Sequence, residues 1–274
     1  MQRTDLPAGS AFGAAHALGC YVNAPNTCPQ VPSCPTCVIG NGGRRPAYFA
    51  ALGFGPAPAG REVGTHFARA ACMEAGSVEA FRRLRDELRA HRAPARLVRA
   101  ASRAVRDELR HVRQTSALAR GFGEHPLVPP LPPDRAVRSL EAVALDNAVE
   151  GCVRETYSAL ECMWQARRAG DPVVRSTMKR IARDEMEHLA LSWSVHAWAM
   201  QRLGRAARTR VHEAQREQVE VLAREMARDP VESLVTTAGL PPARASQALV
   251  ATIASQLGGT KTPRRARTLR PASP

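Results

Sequence analysis

The sequence contains one short motif twice, and each copy has an aspartate, a glutamate and, three positions after the glutamate, a histidine. The first copy spans Asp107 to His111, and the second spans Asp184 to His188. Residues three apart on an α-helix are separated by about 60° around its axis, so a glutamate and a histidine at this spacing can reach one point. Both copies lie in strongly helical segments, so we expect two helices to direct the same pair of polar side chains toward one core.

A lone glutamate precedes each copy at a matching distance. Glu74 stands 34 positions before Glu108 (108 − 74), and Glu150 stands 35 positions before Glu185 (185 − 150). We interpret this as the internal duplication of a helical hairpin that has Glu on its first helix and Glu-x-x-His on its second. Four such helices are what a carboxylate-bridged site for two metal ions requires. Four buried carboxylates would otherwise repel each other until some of them took up protons.

The two pairs also lie at matching depths in their hairpins. Glu108 follows Pro94 by 14 positions (108 − 94), and Glu185 follows Pro172 by 13 (185 − 172). Proline is typical of the first turn of a helix. Equal distances from two helix starts predict that both pairs lie at one level of the bundle.

The third helix offers a second glutamate, Glu155. It lies about 140° around an α-helix from Glu150, so the two cannot both face one ion directly. The alignment of the two halves matches Glu150 with Glu74 and Glu155 with Glu79. We therefore predict Glu150 as the ligand and Glu155 as a residue at the rim of the site, and we leave their exchange open.

These residues resemble the ferritin-like superfamily of di-iron carboxylate proteins, which includes bacterioferritins, rubrerythrins and di-iron oxygenases. The resemblance covers about residues 64–204 and is strongest to uncharacterised bacterial ferritin-like domain proteins with Asp-Glu-x-x-His on helices two and four. It implies an all-α fold, an antiparallel four-helix bundle with a long crossover. It also implies a site for two iron ions, or manganese and iron, with these ligands: Glu74, Glu108, His111, Glu150, Glu185 and His188.

The resemblance implies supporting residues as well. Ligating histidines usually donate their second N–H to a carboxylate, and an aspartate stands four positions before each histidine. By the resemblance, Asp107 would hold His188 from the opposite helix, and Asp184 would hold His111. The alternative is a surface acid paired with a neighbouring arginine. Tyr157 is a candidate electron relay beside the site, although aromatic residues at helical spacing more often pack in a core.

Helical spacing and breaker residues predict the rest of the organisation. We expect four long helices, at about 65–91, 94–120, 135–169 and 172–203. The proline-rich stretch from His125 to Asp134 is expected to be the crossover. Composition then divides the chain into four parts. We expect an irregular N-terminal segment rich in Cys, Pro and Gly (1–60), the bundle (61–205), a C-terminal helical extension (206–258) and a basic disordered tail (259–274). The extension is predicted to contain helices at about 206–228 and 241–257.

The N-terminal segment holds four of the seven cysteines: Cys20, Cys28, Cys34 and Cys37. A zinc knuckle needs two closely spaced pairs, and only the last two cysteines form one. Disulfides, a bound metal and idle thiols therefore remain open for this segment. Ala-Leu-Gly before Cys20 is weakly similar to a lipoprotein cleavage site, but the preceding stretch is too polar for an export signal. We favour a cytoplasmic location, or an exported one if the start codon is misassigned.

Charge and composition limit the classes of partner that the chain can bind. The formal net charge is +14, and five of the positive residues lie in the tail, at Lys261, Arg264, Arg265, Arg267 and Arg270. Aromatic residues make up only 4% of the chain, which argues against a base-stacking platform, so nucleic acid is not an expected partner. The sequence contains no run of about 18 apolar residues, so it does not predict an ordinary membrane-spanning helix.

These observations predict an oxidoreductase that binds oxygen or peroxide at two irons and oxidises a small molecule. The alternative is a non-catalytic protein that binds, stores or buffers iron, although about 60 residues before the bundle and 70 after it disfavour a storage cage. A third class is an interaction protein that docks to anionic partners. The sequence does not name the substrate, the electron donor, the metal or the oligomer, and a homodimer is left open.

Overall fold

The structure is a computed structural model that describes residues 57–126 and 136–258. Every regular element in these two ranges is helical, which confirms the all-α prediction. The elements are α1 (Glu62–Ala90), α2 (Ala95–Gly121), α3 (Leu140–Asp146), a π-helical segment (Asn147–Glu155), α4 (Thr156–Arg168), α5 (Pro172–Met200), α6 (Arg205–Glu225), α7 (Glu232–Thr236) and α8 (Ala243–Gly258). The four N-terminal cysteines, most of the proline-rich crossover and the basic tail lie outside the described residues.

The first hairpin consists of α1 and α2, which pack along each other on either side of a short turn. Helix α1 begins three residues before the predicted start at Thr65, because Glu62 already accepts a hydrogen bond from the Gly60 amide at 2.9 Å. Pro94 directly precedes α2 and lacks the N–H that a helix start would leave unpaired. The short turn makes the two helices antiparallel neighbours.

The second hairpin has an interrupted first helix. Its chain runs without a break through α3, the π-helical segment and α4, and then returns as α5. It begins at Leu140 rather than near Arg135, since the Ser139 side chain caps the Ala142 amide. Asp171 caps α5 and accepts hydrogen bonds from Val173 N at 2.8 Å and Val174 N at 2.9 Å. The sequence analysis did not predict the π-helix.

Two apolar layers enclose the middle of the hairpins. The layer near the α1–α2 turn includes Phe81, Leu84, Leu88, Leu97, Val195 and Trp198. The layer at the opposite end includes Phe67, Leu118, Val174, Met178 and Ile181. Burial of each large apolar side chain contributes roughly 1.5–3 kcal/mol to folding. The Glu-x-x-His motifs lie between these layers, so packing fixes them at the centre of the helices.

The C-terminal helices cover the second hairpin. Helix α6 lies against α3 and the π-helical segment, and α8 packs on α6 and α4. Helix α6 buries one side, and its buried residues include Val211, Val219 and Leu222. The α7 segment rests on the turn before α5, where a Cβ on Gly170 would lie 2.4 Å from the carbonyl oxygen of Thr236. None of the described helices combines the length and apolarity that a bilayer crossing needs.

Candidate metal centre

Six buried side chains from four helical segments meet at the centre of the two hairpins. One group, with ligand atoms within 4.8 Å of one another, consists of Glu74, Glu108, His111 and Glu185. A second group, on the same criterion, consists of Glu155, Glu185 and His188. Each of the six is at most 4% exposed. The two groups share Glu185, so they form one continuous cluster.

The histidines face the carboxylates through their Nδ1 atoms. Nδ1 of His111 lies 3.5 Å from Glu108 Oε2, 3.4 Å from Glu185 Oε1 and 3.8 Å from Glu74 Oε2. Nδ1 of His188 lies 3.2 Å from Glu108 Oε1 and 3.6 Å from Glu185 Oε1. Two ligands held about 2.1 Å from one ion are themselves roughly 3.0–3.5 Å apart. The observed separations are therefore close to those of a coordination shell.

The other imidazole nitrogen of each histidine faces an aspartate on the opposite helix. Nε2 of His111 lies 3.2 Å from Asp184 Oδ2, and Nε2 of His188 lies 3.5 Å from Asp107 Oδ2. These are the two crossed pairs that the family resemblance implied. When the imidazole is neutral, a carboxylate at Nε2 favours the tautomer with its proton on that nitrogen, which leaves the Nδ1 lone pair directed at the cluster.

Arg110 links the two aspartates and was not recognised in the sequence. Its Nη2 donates to Asp107 Oδ1 at 2.7 Å and to Asp184 Oδ2 at 2.9 Å. The first contact was accessible from sequence, because Asp107 and Arg110 are three positions apart on one helix. The second depends on how α2 packs against α5, which spacing does not reveal.

Burial and mutual repulsion act on the carboxyl groups of the cluster. Burial, followed by the nearby charge of Glu108, raises the pKa of Glu74 well above its ordinary value. Burial also opposes ionisation of Glu108 and Glu185, but the two close histidines outweigh it and lower both pKa values. These three glutamates are therefore unequal, because Glu108 and Glu185 lie between the histidines and are held as anions, whereas Glu74 is not.

The imidazoles show the matching change. Burial lowers the pKa of a histidine, but the facing aspartate and the core carboxylates outweigh it here. The pKa of His111 and the pKa of His188 are both raised well above their ordinary value. The metal-free cluster thus holds protons on its imidazoles and on Glu74, which are protons that a divalent cation would displace.

The donor set could hold a metal ion. Several buried atoms have no hydrogen-bond partner among the described residues, and they include both carboxylate oxygens of Glu108, Oε2 of Glu74, Oε2 of Glu185 and Nδ1 of each histidine. Leaving a buried polar atom unpaired costs about 1–3 kcal/mol. Ligand atoms that lie close together without hydrogen-bond partners, and that can turn lone pairs toward one point once protons are displaced, are what a cation site provides.

The structure corrects the choice between the two glutamates of the third helix. Glu155 is fully buried and belongs to the cluster. Glu150 does not, and its Oε1 lies 3.9 Å from Arg154 Nε. Depth explains the difference, since Glu155 and Glu185 each stand 15 positions from Gly170 (170 − 155, 185 − 170). Glu150 is five residues further, roughly 7 Å along the axis.

The π-helix accounts for the failure of the alignment. Its i→i+5 hydrogen bonds place more residues in each turn than an α-helix has. Residues before it are therefore rotated relative to α4, which keeps the phase set by the turn at Gly170. The alignment of the two halves assumed an unbroken α-helix. Counting from the turn, as for the Glu-x-x-His pairs, would have selected Glu155.

A buried arginine fastens the π-helical segment to α6. Nη1 and Nη2 of Arg154 donate to the two carboxylate oxygens of Glu225 at 3.0 and 2.9 Å. With its amide oxygen turned inward, Gln218 accepts from Arg154 Nε at 3.1 Å and from Nη2 at 2.9 Å. Because Arg154 directly precedes Glu155, this contact holds the backbone that presents the sixth residue of the cluster.

Two aromatic residues take different places. Tyr157 lies away from the cluster, because it packs with Val219 and Leu222 of α6 and with Ile253 of α8. The prediction that it stands beside the site is therefore wrong, and the alternative of a core aromatic holds. Phe81 contacts the site instead, with its ring 4.9 Å from that of His188.

No match to the chain was found among protein-family models, curated proteins or solved structures.

Proposed function

We propose that this protein holds two metal ions in the buried cluster, two irons or one manganese and one iron, and oxidises a small molecule with oxygen or peroxide. We also propose that its two hairpins form the antiparallel four-helix bundle of ferritin-like proteins. The observation that carries the proposal is the position of Glu108, whose Oε1 lies 3.2 Å from one histidine and whose Oε2 lies 3.5 Å from the other. A carboxylate placed in this way can bridge two ions.

The remaining residues divide between the two positions. Glu74 and His111 would hold one ion, and Glu155 and His188 would hold the other. Glu185 would be the second bridge, because its Oε1 lies 3.4 Å from Nδ1 of His111 and 3.6 Å from Nδ1 of His188. Each ion would then have one terminal carboxylate, one imidazole and a share of two bridges, which leaves coordination positions for oxygen or substrate.

Charge and ligand type favour iron or manganese. Burial and the charge of Glu108 raise the pKa of Glu74. Four ionised glutamates carry four negative charges, which two divalent cations neutralise, so a filled site would remove the repulsion between them. A mixed set of carboxylate and imidazole ligands suits iron and manganese. Zinc, by contrast, often occupies thiolate-rich sites. When bound, such ions would supply the redox chemistry that the side chains lack.

The protein's own part is to hold and enclose the site. The crossed aspartates fix the imidazole rings, and Arg110 fixes the aspartates. The apolar layers on either side keep bulk water away, with Phe81 against His188 on one of them. Exclusion of water strengthens every electrostatic contact inside the site and limits side reactions of an oxidant.

Aerobic titration with Fe(II) tests this proposal. We expect two irons per chain, uptake of oxygen, and an absorbance band of an oxo-bridged ferric pair, all of them absent in Glu108→Gln. Glu187→Gln is the matched control, because Glu187 is an exposed glutamate in the second copy of the motif. Binding of fewer than one iron per chain by the unaltered protein would contradict the proposal.

The same titration separates oxidation from storage. An enzyme stays at two irons per chain and consumes oxygen or peroxide repeatedly when a reductant and substrate are supplied. A storage protein continues to accumulate ferric iron beyond two per chain. The helices α6 and α8 cover one side of the second hairpin, which favours the first outcome because that surface is no longer free for cage assembly.

A further inference from the structure

The outer surface of α2 carries a continuous row of arginines. Its spacing alternates between three and four positions up to Arg113, and all seven fall within an arc of about 120°. We call this set the arginine row, and it consists of Arg96, Arg99, Arg103, Arg106, Arg110, Arg113 and Arg120. Six of the seven are exposed, and Arg110 has a side chain that is 43% exposed. The row therefore lies on the solvent side of the helix, opposite the buried cluster.

Acidic residues do not balance this row. The acids of α2 are Asp107 and Glu108, of which Glu108 is fully buried and Asp107 is bound to Arg110. Within residues 57–126 and 136–258, the other six arginines form no ion pair. Like charges three or four positions apart destabilise a helix by about 0.2–0.5 kcal/mol per pair. A solvated helix usually avoids this cost by alternating the sign of its charges.

We propose that the arginine row binds the phosphate backbone of double-stranded nucleic acid. From Arg96 to Arg120 the row extends roughly 36 Å, at about 1.5 Å per residue. One turn of B-DNA is about 34–36 Å long, so a single helix can follow the duplex over a full turn. The guanidinium group presents a planar fork of N–H donors that matches two phosphate oxygens.

The composition of α2 distinguishes a duplex from other anionic partners. Proteins that hold single strands stack the bases on aromatic side chains, and α2 contains no Phe, Tyr or Trp. A helix that lies on a membrane inserts an apolar face, whereas the apolar face of α2 is already buried, with Leu97, Ala101, Val105 and Leu118 in the core. The row is therefore suited to phosphates alone.

The mode of binding follows from the packing of α2. One side of α2 is buried in the hairpins, and its exposed side carries a row of long guanidinium side chains, which we place on the phosphate backbone rather than on the bases. Such contacts position a protein without reading sequence. On the adjacent helix α5, the exposed residues Arg180 and Arg183 lie four positions and one position before Asp184, which Arg110 contacts, so positive charge continues past the edge of α2.

This surface departs from the expectation drawn from composition. The low aromatic content argued against nucleic acid, but it bears on base stacking and not on backbone contacts. The tail was considered as a separate basic segment, and it lies outside the described residues. The row became visible once the structure placed seven positive residues on one side of one helix.

Fluorescence anisotropy with a labelled 20-bp DNA duplex tests the proposal on the full chain. The variant is Arg99→Gln, Arg103→Gln and Arg106→Gln together, which spares Arg110 because that residue holds the aspartates. The matched control removes three exposed α6 arginines, by Arg205→Gln, Arg216→Gln and Arg224→Gln. A third variant replaces the five basic tail residues by Gln.

We expect the α2 variant to bind at least tenfold more weakly than the unaltered protein near 100 mM salt. The slope of log K against log salt concentration should become shallower by about 2–3, because each lost phosphate contact removes roughly 0.9 from it. The α6 control should change affinity less than threefold, and two duplexes of unrelated sequence should bind equally. An unchanged thermal melting curve shows that the α2 variant is folded.

Three results would overturn the proposal. The first is equal weakening by the α2 variant and the α6 control, which would indicate a general effect of net charge. The second is loss of binding in the tail variant with retention in the α2 variant. The third is tighter binding to vesicles of phosphatidylserine, or to poly-glutamate, than to the duplex.

Discussion

The two hairpins present the same motif on different scaffolds. In the first hairpin, Glu74 and Glu108 lie on two uninterrupted α-helices that pack along each other. In the second, Glu155 ends a nine-residue π-helical segment that α6 contacts from outside. Both hairpins nevertheless deliver one lone glutamate and one Glu-x-x-His pair to the same buried point.

The difference shows which property the duplication retains. Within each hairpin the lone glutamate and the paired glutamate lie at similar distances from the turn. Glu74 and Glu108 stand 18 and 16 positions from Arg92 (92 − 74, 108 − 92), and Glu155 and Glu185 each stand 15 positions from Gly170 (170 − 155, 185 − 170). The two halves do not use the same glutamate of the repeat, because Glu74 aligns with Glu150 whereas Glu155 lies in the cluster. Depth along the helix decides which side chain reaches the cluster, and the π-helix sets the phase of the residues before it.

Loss of a glutamate that lies between the two histidines should have the largest effect on metal binding. We expect Glu108→Gln and Glu185→Gln each to abolish binding of both ions, because each residue lies between the two histidines. Metal content by elemental analysis after Fe(II) loading measures this, with Glu187→Gln as the control. Retention of two ions by either variant would exclude the shared role.

Loss of a residue from one hairpin should remove one ion. We expect Glu155→Gln to lower the metal content from two ions per chain to about one, as Glu74→Gln should in the first hairpin. Glu150→Gln should leave two, because Glu150 lies beside Arg154 and not in the cluster. The reverse ranking of the Glu150 and Glu155 variants would restore the alignment-based assignment.

The crossed aspartates should have a smaller effect on affinity. We expect Asp107→Asn and Asp184→Asn to weaken metal binding by about 10–100-fold while the metal content at saturation stays at two. The reason is that each aspartate orients an imidazole and does not itself belong to the cluster. Competition with a chelator of known affinity measures the change, and an effect below threefold would reduce the aspartates to surface acids.

The attachment of the π-helical segment to α6 should affect only the second hairpin. We expect Glu225→Gln to lower the free energy of unfolding by about 1–3 kcal/mol, because it leaves the buried Arg154 with a weaker partner. The control is Glu141→Gln, which breaks the surface ion pair between Glu141 of α3 and Arg210 of α6 and should cost less than about 1 kcal/mol. Urea denaturation of both variants provides the comparison, and equal losses would contradict it.

The pH dependence of stability should distinguish the metal-free from the loaded protein. The pKa values of His111 and His188 are raised on folding, so the metal-free folded state binds more protons than the unfolded chain above about pH 6.5. This stabilisation is complete below pH 6.5 and is lost as pH rises through the folded pKa values. Urea denaturation from pH 6 to 9 with a chelator should therefore show falling stability, and added metal should remove the fall. A flat metal-free profile would contradict this.

Sequence reasoning succeeded where helix geometry alone decides the outcome. The three-residue spacing of Glu108 and His111 follows from the helix itself, and both side chains lie in the cluster as predicted. It failed where one helix acts on another. The position of Glu155 and its link through Arg154 to Glu225 depend on a π-helix and on the packing of α6, which no local pattern reveals.

Anomalous diffraction from crystals of the iron-loaded protein tests the central claim most directly. We predict two peaks at the iron absorption edge, one beside Glu74 and His111 and one beside Glu155 and His188, with Glu108 and Glu185 in contact with both. Absence of any peak between these side chains, or a single peak bound by Glu150, would contradict the account.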